Sequence, residues 1–165
     1  MEFQYQDFKN LLKHKESSIL DFKLQCNAFA GNKKLADNAE LVKDICALAN
    51  NVGYISHLVI GVNDDRSSFK SVKNLNLTEE NIQTLICQAI QPPPKIEVFD
   101  NEWNDQGVEP EHKSKRFIII RVQPSEKKVY RFNRNFISKT ENVHFRKNVV
   151  WVRRGSTSDV ASPEE

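Results

Sequence analysis

The chain has 165 residues, 39% of them hydrophobic and 28% charged, with a formal net charge of +2. That is enough for one domain with its own core, too little for two comfortable ones and too apolar for disorder. No apolar run approaches the roughly 20 residues of a membrane span, and the start Met1-Glu2-Phe3-Gln4-Tyr5 lacks the pattern of a signal peptide.

Phe3, Tyr5, Phe8, Leu11 and Leu12 recur near helical spacing, so residues 3–14 are predicted as a short amphipathic helix. From Ser18 the period changes to two: Leu20, Phe22 and Leu24 share one face of a strand, and Ile19, Asp21, Lys23 and Gln25 the other. After a loop over 26–36, Asp37 with Glu40 forms a capping box for a second helix, which buries Ala39, Val42, Ile45, Cys46 and Ala49. The helix ends in Asn50-Asn51-Val52-Gly53.

His57–Val62 is mostly apolar and reads as a strand buried on both faces, closing in the polar turn Asn63-Asp64-Asp65. Thr78 caps a third helix, striped by Ile82, Leu85, Ile86, Ala89 and Ile90 and stopped by Pro92-Pro93-Pro94. Strands are expected at Lys95–Phe99, Arg116–Val122, Lys128–Phe132 and Val143–Arg153, with a polar loop over 100–115. The order predicts a single α+β domain over residues 1–155, with a mixed, mostly antiparallel sheet and about three helices. Residues 156–165 read as a flexible tail or linker stub.

Cys26, Cys46 and Cys87 form no CxxC pair, which argues against a disulfide scaffold or a thiolate zinc site and fits a reducing cytoplasm. The five glycines are isolated, so the signatures of P-loop, dinucleotide-binding and serine-hydrolase sites are missing, and no nucleotide cofactor is expected. His14, His57, His112 and His144 lack close metal-ligand spacing and read as surface or packing residues.

Charge is unevenly placed. Residues 111–154 hold 13 Lys and Arg against 3 acids, Glu111, Glu126 and Glu141. Such a block suits a polyanion, and Lys127, Lys128, Arg131, Arg134, Arg146, Lys147, Arg153 and Arg154 are the candidate nucleic-acid contacts. A solvated basic strand face is the plainer alternative. Interleaved aromatics such as Phe132, Phe145 and Trp151 would either stack bases or fill the core of amphipathic strands.

Three carboxylates could converge if the first two strands are neighbours: Glu16 before the first, Asp21 on its polar face with Lys23, and Asp64 at the exit of the second. An oxygen-rich site of this kind would suit Mg²⁺ or Mn²⁺ and metal-assisted phosphodiester cleavage, with Lys23 stabilising developing charge. Taken singly, each has an ordinary structural reading: D-x-K arises by chance, Asp64-Asp65 is a turn pair, and Glu16 is a helix-end charge.

Five blocks then carry a family resemblance. Glu16-Ser17-Ser18-Ile19-Leu20-Asp21-Phe22-Lys23 resembles the E-S-x-x-x-E-F-K signature of the Schlafen-type Alba-like domain, and Val42–Asn50 its K-D-I-x-A-x-A-N segment. Ile60-Gly61-Val62-Asn63-Asp64 is similar to its I-G-V-D-D, Ile90-Gln91-Pro92 to its I-x-P, and Trp151–Ser156 with Ala161 to its Y-x-R-x-G-S ending. The resemblance implies an α+β nucleic-acid-binding domain of the kind found alone or in longer regulators. It also implies an alternative, a divalent-metal-dependent endonuclease with RNA as its substrate, whose three metal-binding carboxylates match Glu16, Asp21 and Asp64. A weaker alternative is a protein-interaction domain. The chain departs from the family pattern with Asp at position 21 and Asn at position 63, and it has no counterpart of the cysteine zinc site of animal Schlafens. A single copy would need a homodimer to clamp a duplex.

Overall fold

The computed structural model, which describes residues 2–30, 34–124, 126 and 128–163, joins a parallel strand pair to an antiparallel run. β1 (Leu20–Lys23) lies parallel to β2 (Ser56–Ile60), and α2 (Lys34–Ala49) makes the crossover between them. β5 (Arg116–Val122) pairs antiparallel with β2, and β4 (Ile96–Glu102) antiparallel with β5, giving a mixed sheet in the order β1-β2-β5-β4. β2 and β5 are central, and their nearly continuous apolar sequence reflects burial on both faces.

Alternation along the strands divides the interior in two. Leu20, Phe22, Val59, Phe117 and Ile119 face α1 (Tyr5–Leu12), whose Phe8 is fully buried among them. Leu58, Ile60, Ile118 and Ile120 face α2 and α3 (Glu79–Ala89). Thr78 caps α3 as expected, its side chain accepting from the Asn81 N–H at 3.2 Å.

α2 is the axis of the molecule. From Leu41 to Ala49 only Lys43 escapes burial, and a helix apolar on all sides has to be covered on all sides. One side meets the central strands. The other meets small antiparallel pairs: β7 (Phe136–Ser138) with β8 (Val143–Phe145), and β9 (Trp151–Arg154) with β10 (Thr157–Val160). A further pair, β3 (Ile90–Gln91) with β6 (Arg131–Phe132), ties α3 to this layer. Asn50, just past α2, fastens the layer down: its amide donates to the Tyr130 and Trp151 carbonyls at 2.9 and 2.7 Å and accepts from the Tyr130 N–H at 2.8 Å.

The α+β class, the three helices and the mixed, mostly antiparallel strands agree with the sequence reading. Several boundaries differ. α2 starts at Lys34, so Asp37 lies inside its first turn and is not the cap. The expected strand 143–153 breaks into β8 and β9, because Asn148 has φ +69° and turns the chain between them. Residues 157–160, expected within a tail, are strand β10. Gly155, at φ +59°, turns the chain back, and Arg154 and Thr157 become register partners.

Gly61 closes β2 with φ +114°, and a Cβ there would sit 2.6 Å from Phe117 Cδ1 and 3.0 Å from the Lys70 carbonyl oxygen. Its N–H donates to the Lys23 carbonyl at 2.7 Å, so the close approach also ends the parallel pair. Gly61→Ala is therefore expected to cost at least about 1–3 kcal/mol from backbone strain alone, read as a fall in the denaturant midpoint. An unchanged midpoint would mean that Phe117 and the turn yield without cost.

Candidate functional site

Asp21 occupies the polar face of β1 as the alternation predicts, but that face is covered. β9 lies against it, and Arg153 brings its guanidinium to 3.1 Å from Asp21 Oδ1, both side chains being 3% exposed. Arg153 also donates from Nε to the Ser17 carbonyl at 3.1 Å and from Nη2 to the Leu20 carbonyl at 3.5 Å, gripping both ends of the turn that enters β1. Asp21 Oδ2 lies 3.5 Å from Lys23 Nζ, and the same ammonium stands 3.4 Å from Asp44 Oδ2 on α2. Ser158 of β10 closes the ring: its hydroxyl accepts from Arg153 Nη1 at 3.5 Å and donates to Asp44 Oδ1 at 3.3 Å.

Glu16 joins at the edge, where its Oε1 accepts from the Phe22 N–H at 3.1 Å. Burial, together with the adjacent Asp21 carboxylate, raises its pKa to about 6, against the opposing pull of the Phe22 N–H and Arg153. Burial also pushes Asp44 up against the pull of Lys23. For Lys23 burial works against the charge, yet Asp44 and Asp21 outweigh it and its pKa is raised. The cluster thus holds two cations against three acids.

Of the sequence-predicted carboxylates, the structure brings Glu16 and Asp21 together and leaves Asp64 apart. Asp64 is exposed in the turn after β2, a turn organised by Asn63, whose Oδ1 accepts from the Ser67 and Ser68 N–H groups at 2.9 and 3.0 Å. Lys23 and Ile60 are register partners at the ends of β1 and β2, so Asp64 lies beyond both strands while Asp21 lies two residues back inside the sheet. The three do not form a group with ligand atoms within 4.8 Å of one another. As arranged, Arg153 and Lys23 stand as the cations beside Asp21, and Asp64 lies outside that group.

The basic candidates divide in the same way. Arg131, Arg134, Arg146 and Lys147 are exposed on the small-strand layer. Arg134 lies over the Phe136 ring at 4.7 Å, and Arg146 Nε donates to His144 Nε2 at 3.1 Å. Lys128 is exposed too, and exposed Arg154 pairs with Asp159 at 3.6 Å. Lys127 lies outside the described residues. Arg153 is withdrawn from any surface role by its burial against Asp21. The aromatics are core: Phe132 is fully buried, and Phe145 and Trp151 pack against the same cluster, capped by Lys43 Nζ at 5.8 Å from each ring.

Three of the five sequence blocks therefore converge on one construction, the first strand, α2 and the Trp151–Arg154 ending being joined through Asp21, Asp44 and Arg153. The family model described as Schlafen, AlbA_2 matches residues 16–162. The chain belongs to this Schlafen AlbA_2 family. No curated protein matches it. The match takes in β10 and leaves out α1, so the helix that closes the second core lies before the matched region. Among the described residues no helix is long and apolar enough to cross a membrane.

Sequence reasoning missed Asp44, Asn50 and Ser158, although the first two lie in a quoted family block; Asn50 meets Tyr130 and Asp44 meets Ser158, 80 and 114 residues away in the chain. His112, read from the sequence as a surface or packing residue without close metal-ligand spacing, is buried and stands with Glu109 and Glu111, and the three bring potential ligand atoms within 4.8 Å of one another and could hold a metal ion. The signal was a compact E-x-E-H string inside a stretch read as a polar loop.

Removing one partner of a buried ion pair leaves the other uncompensated, so Arg153→Ala should cost about 3–5 kcal/mol of stability by denaturant unfolding. Arg146→Ala, at the surface, should stay within about 0.5 kcal/mol. Equal effects would show that the Asp21–Arg153 pair is not a structural centre. Because the folded state binds the Glu16 proton more tightly than the unfolded chain, its contribution to stability is full at low pH and is lost as pH rises from about 4.5 to about 6. Glu16→Gln should flatten that part of the stability profile, and a wild-type-like profile in the variant would assign the titration elsewhere.

Proposed function

We propose that this chain is a nucleic-acid-binding domain that grips the phosphate backbone through the exposed cations of its small-strand layer. The observation that carries the reading is the placement of Arg131, Arg134, Arg146 and Lys147 together on the β6–β9 segment, all exposed, with Lys128, Lys139 and Arg154 exposed on the same stretch. Other cations of the basic block turn inward: Arg116 pairs with Asp100 at 2.9 Å, Arg121 with Glu97 at 3.6 Å and Arg153 with Asp21. What remains outward is a phosphate-binding set. With the neighbouring aromatics in the core, base stacking has no platform there, and contacts of this kind position a duplex or folded strand without reading its bases. Family membership supports a nucleic-acid partner, and two copies would double the surface.

Labelled duplex DNA and structured RNA, titrated across a salt series by anisotropy, test the proposal. About five phosphate contacts predict a log–log slope of roughly −3.5 to −4.5. Arg131→Ala combined with Arg134→Ala should shallow that slope by roughly 1.4–1.8. Binding indistinguishable from wild type would remove this face from the interface.

The same assay, run with Mg²⁺ or Mn²⁺ and with chelator, separates binding from endonuclease action. The adjacent carboxyls of Glu16 and Asp21, with Lys23 beside them, are the feature that favours cleavage. Asp64→Ala is the informative variant, since Asp64 is exposed and its loss leaves the buried ion pair intact. Intact substrate in the presence of metal is the result expected for a binding domain. Metal-dependent products that vanish in Asp64→Ala would establish the endonuclease instead.

A further inference from the structure

The segment between β4 and β5 carries a buried histidine whose environment is half finished. His112 is 3% exposed, its ring set edge-on against Phe8, Phe69 and Phe117 with centroids at 5.3, 4.4 and 6.4 Å. Its Nδ1 is fixed at 2.8 Å from the Tyr5 hydroxyl of α1, which also accepts from the Glu109 N–H at 3.1 Å. Its Nε2 is buried and has no hydrogen-bond partner. The nearest acidic oxygen, Glu111 Oε1, stands 3.7 Å away, too far for a hydrogen bond. Glu109 completes a trio whose ligand atoms lie within 4.8 Å of one another, and both carboxylates are exposed.

We propose that Glu109, Glu111 and His112 form a binding site for a divalent transition metal, with zinc the cation that the donors fit best. One imidazole nitrogen and two carboxylates are a zinc-type ligand set, and the two exposed carboxylates leave the fourth position open to water. Zinc bonds of about 2.0–2.2 Å to nitrogen and oxygen let one ion bridge donors at the separation found between Nε2 and Glu111. Imidazole does not suit Mg²⁺ or Ca²⁺, which take oxygen ligands. The ion resolves both local conflicts: it accepts the unpartnered Nε2 lone pair and neutralises two neighbouring carboxylates. Tyr5 then acts as the outer partner, accepting from Nδ1–H and fixing the tautomer that leaves Nε2 free to ligate. Lys9, 3.8 Å from Glu109 Oε1, is the competing cation that the metal displaces. Bound there, zinc would pin the β4–β5 connection to α1 and close the second core, separately from the basic face and from the Asp21 cluster.

Chelator-treated full-length chain titrated with Zn²⁺ by calorimetry, with the thermal midpoint followed in parallel, tests this. Stoichiometric binding and a raised midpoint are expected. Tyr5→Phe should weaken binding by about 10-fold or more through the outer partner, and Glu109→Gln and Glu111→Gln should weaken it further. Because His112→Ala removes a buried ring and could unfold the chain, the two exposed glutamates carry the test. Zinc binding of equal strength in both Gln variants, no zinc binding at all, or preference for Mg²⁺ over Zn²⁺ would each overturn the proposal.

Discussion

The arrangement depends on one buried ion pair. Asp21 and Arg153 lie 132 residues apart in sequence and 3.1 Å apart in space, and with Lys23, Asp44 and Ser158 they join β1, α2, β9 and β10 into one unit. A carboxylate in the middle of a buried strand is costly to desolvate unless it is paired and further hydrogen-bonded. Here the pairing is supplied by the last strands of the domain. The first strand is therefore electrostatically satisfied only when β9 is in place, and Asn50 and the Asp44–Ser158 hydrogen bond tie the outer strands to α2 beside the apolar packing.

That pair also separates two roles that look alike as sequence. Arg153 belongs to the same basic block as Arg131, Arg134, Arg146 and Lys147, yet its guanidinium is enclosed while theirs meet solvent. The difference is one of partner: Arg153 finds a buried carboxylate and two backbone carbonyls, whereas Arg134 lies over the Phe136 ring and Arg146 donates to His144. The basic surface is accordingly narrower than its charge count, and it surrounds an aromatic core instead of an aromatic stacking face. The loop around His112 joins α1 to the sheet through Tyr5, a connection that uses none of the ion-pair cluster's residues.

Much of the fold was legible in the residues because the local signals were strong. The alternation at Leu20, Asp21, Phe22 and Lys23, the apolar run His57–Val62, the Thr78 cap and the proline stop all act within a few residues of where they are read. Elements that depend on partners were harder to read. β7 is only three residues long and β10 is polar, and they exist as strands only because β8 and β9 lie beside them. The start of α2 moved earlier because its first turn is held from outside, the Ala36 N–H donating to Glu141 Oε1 at 3.1 Å.

The sequence by itself determined the fold class, the succession of helices and strands, the concentration of positive charge after residue 110 and the family blocks, since each is written in spacing or composition over short stretches. Only the tertiary structure decided which charges face inward. Asp21 and Arg153 became a buried pair, Asp64 stayed outside in its turn, Phe132 and Trp151 went to the core, and Glu109, Glu111 and His112 closed on one point. The physical reason is that burial and pairing are properties of what lies opposite a side chain, and opposite Asp21 that is supplied by chain 132 residues away.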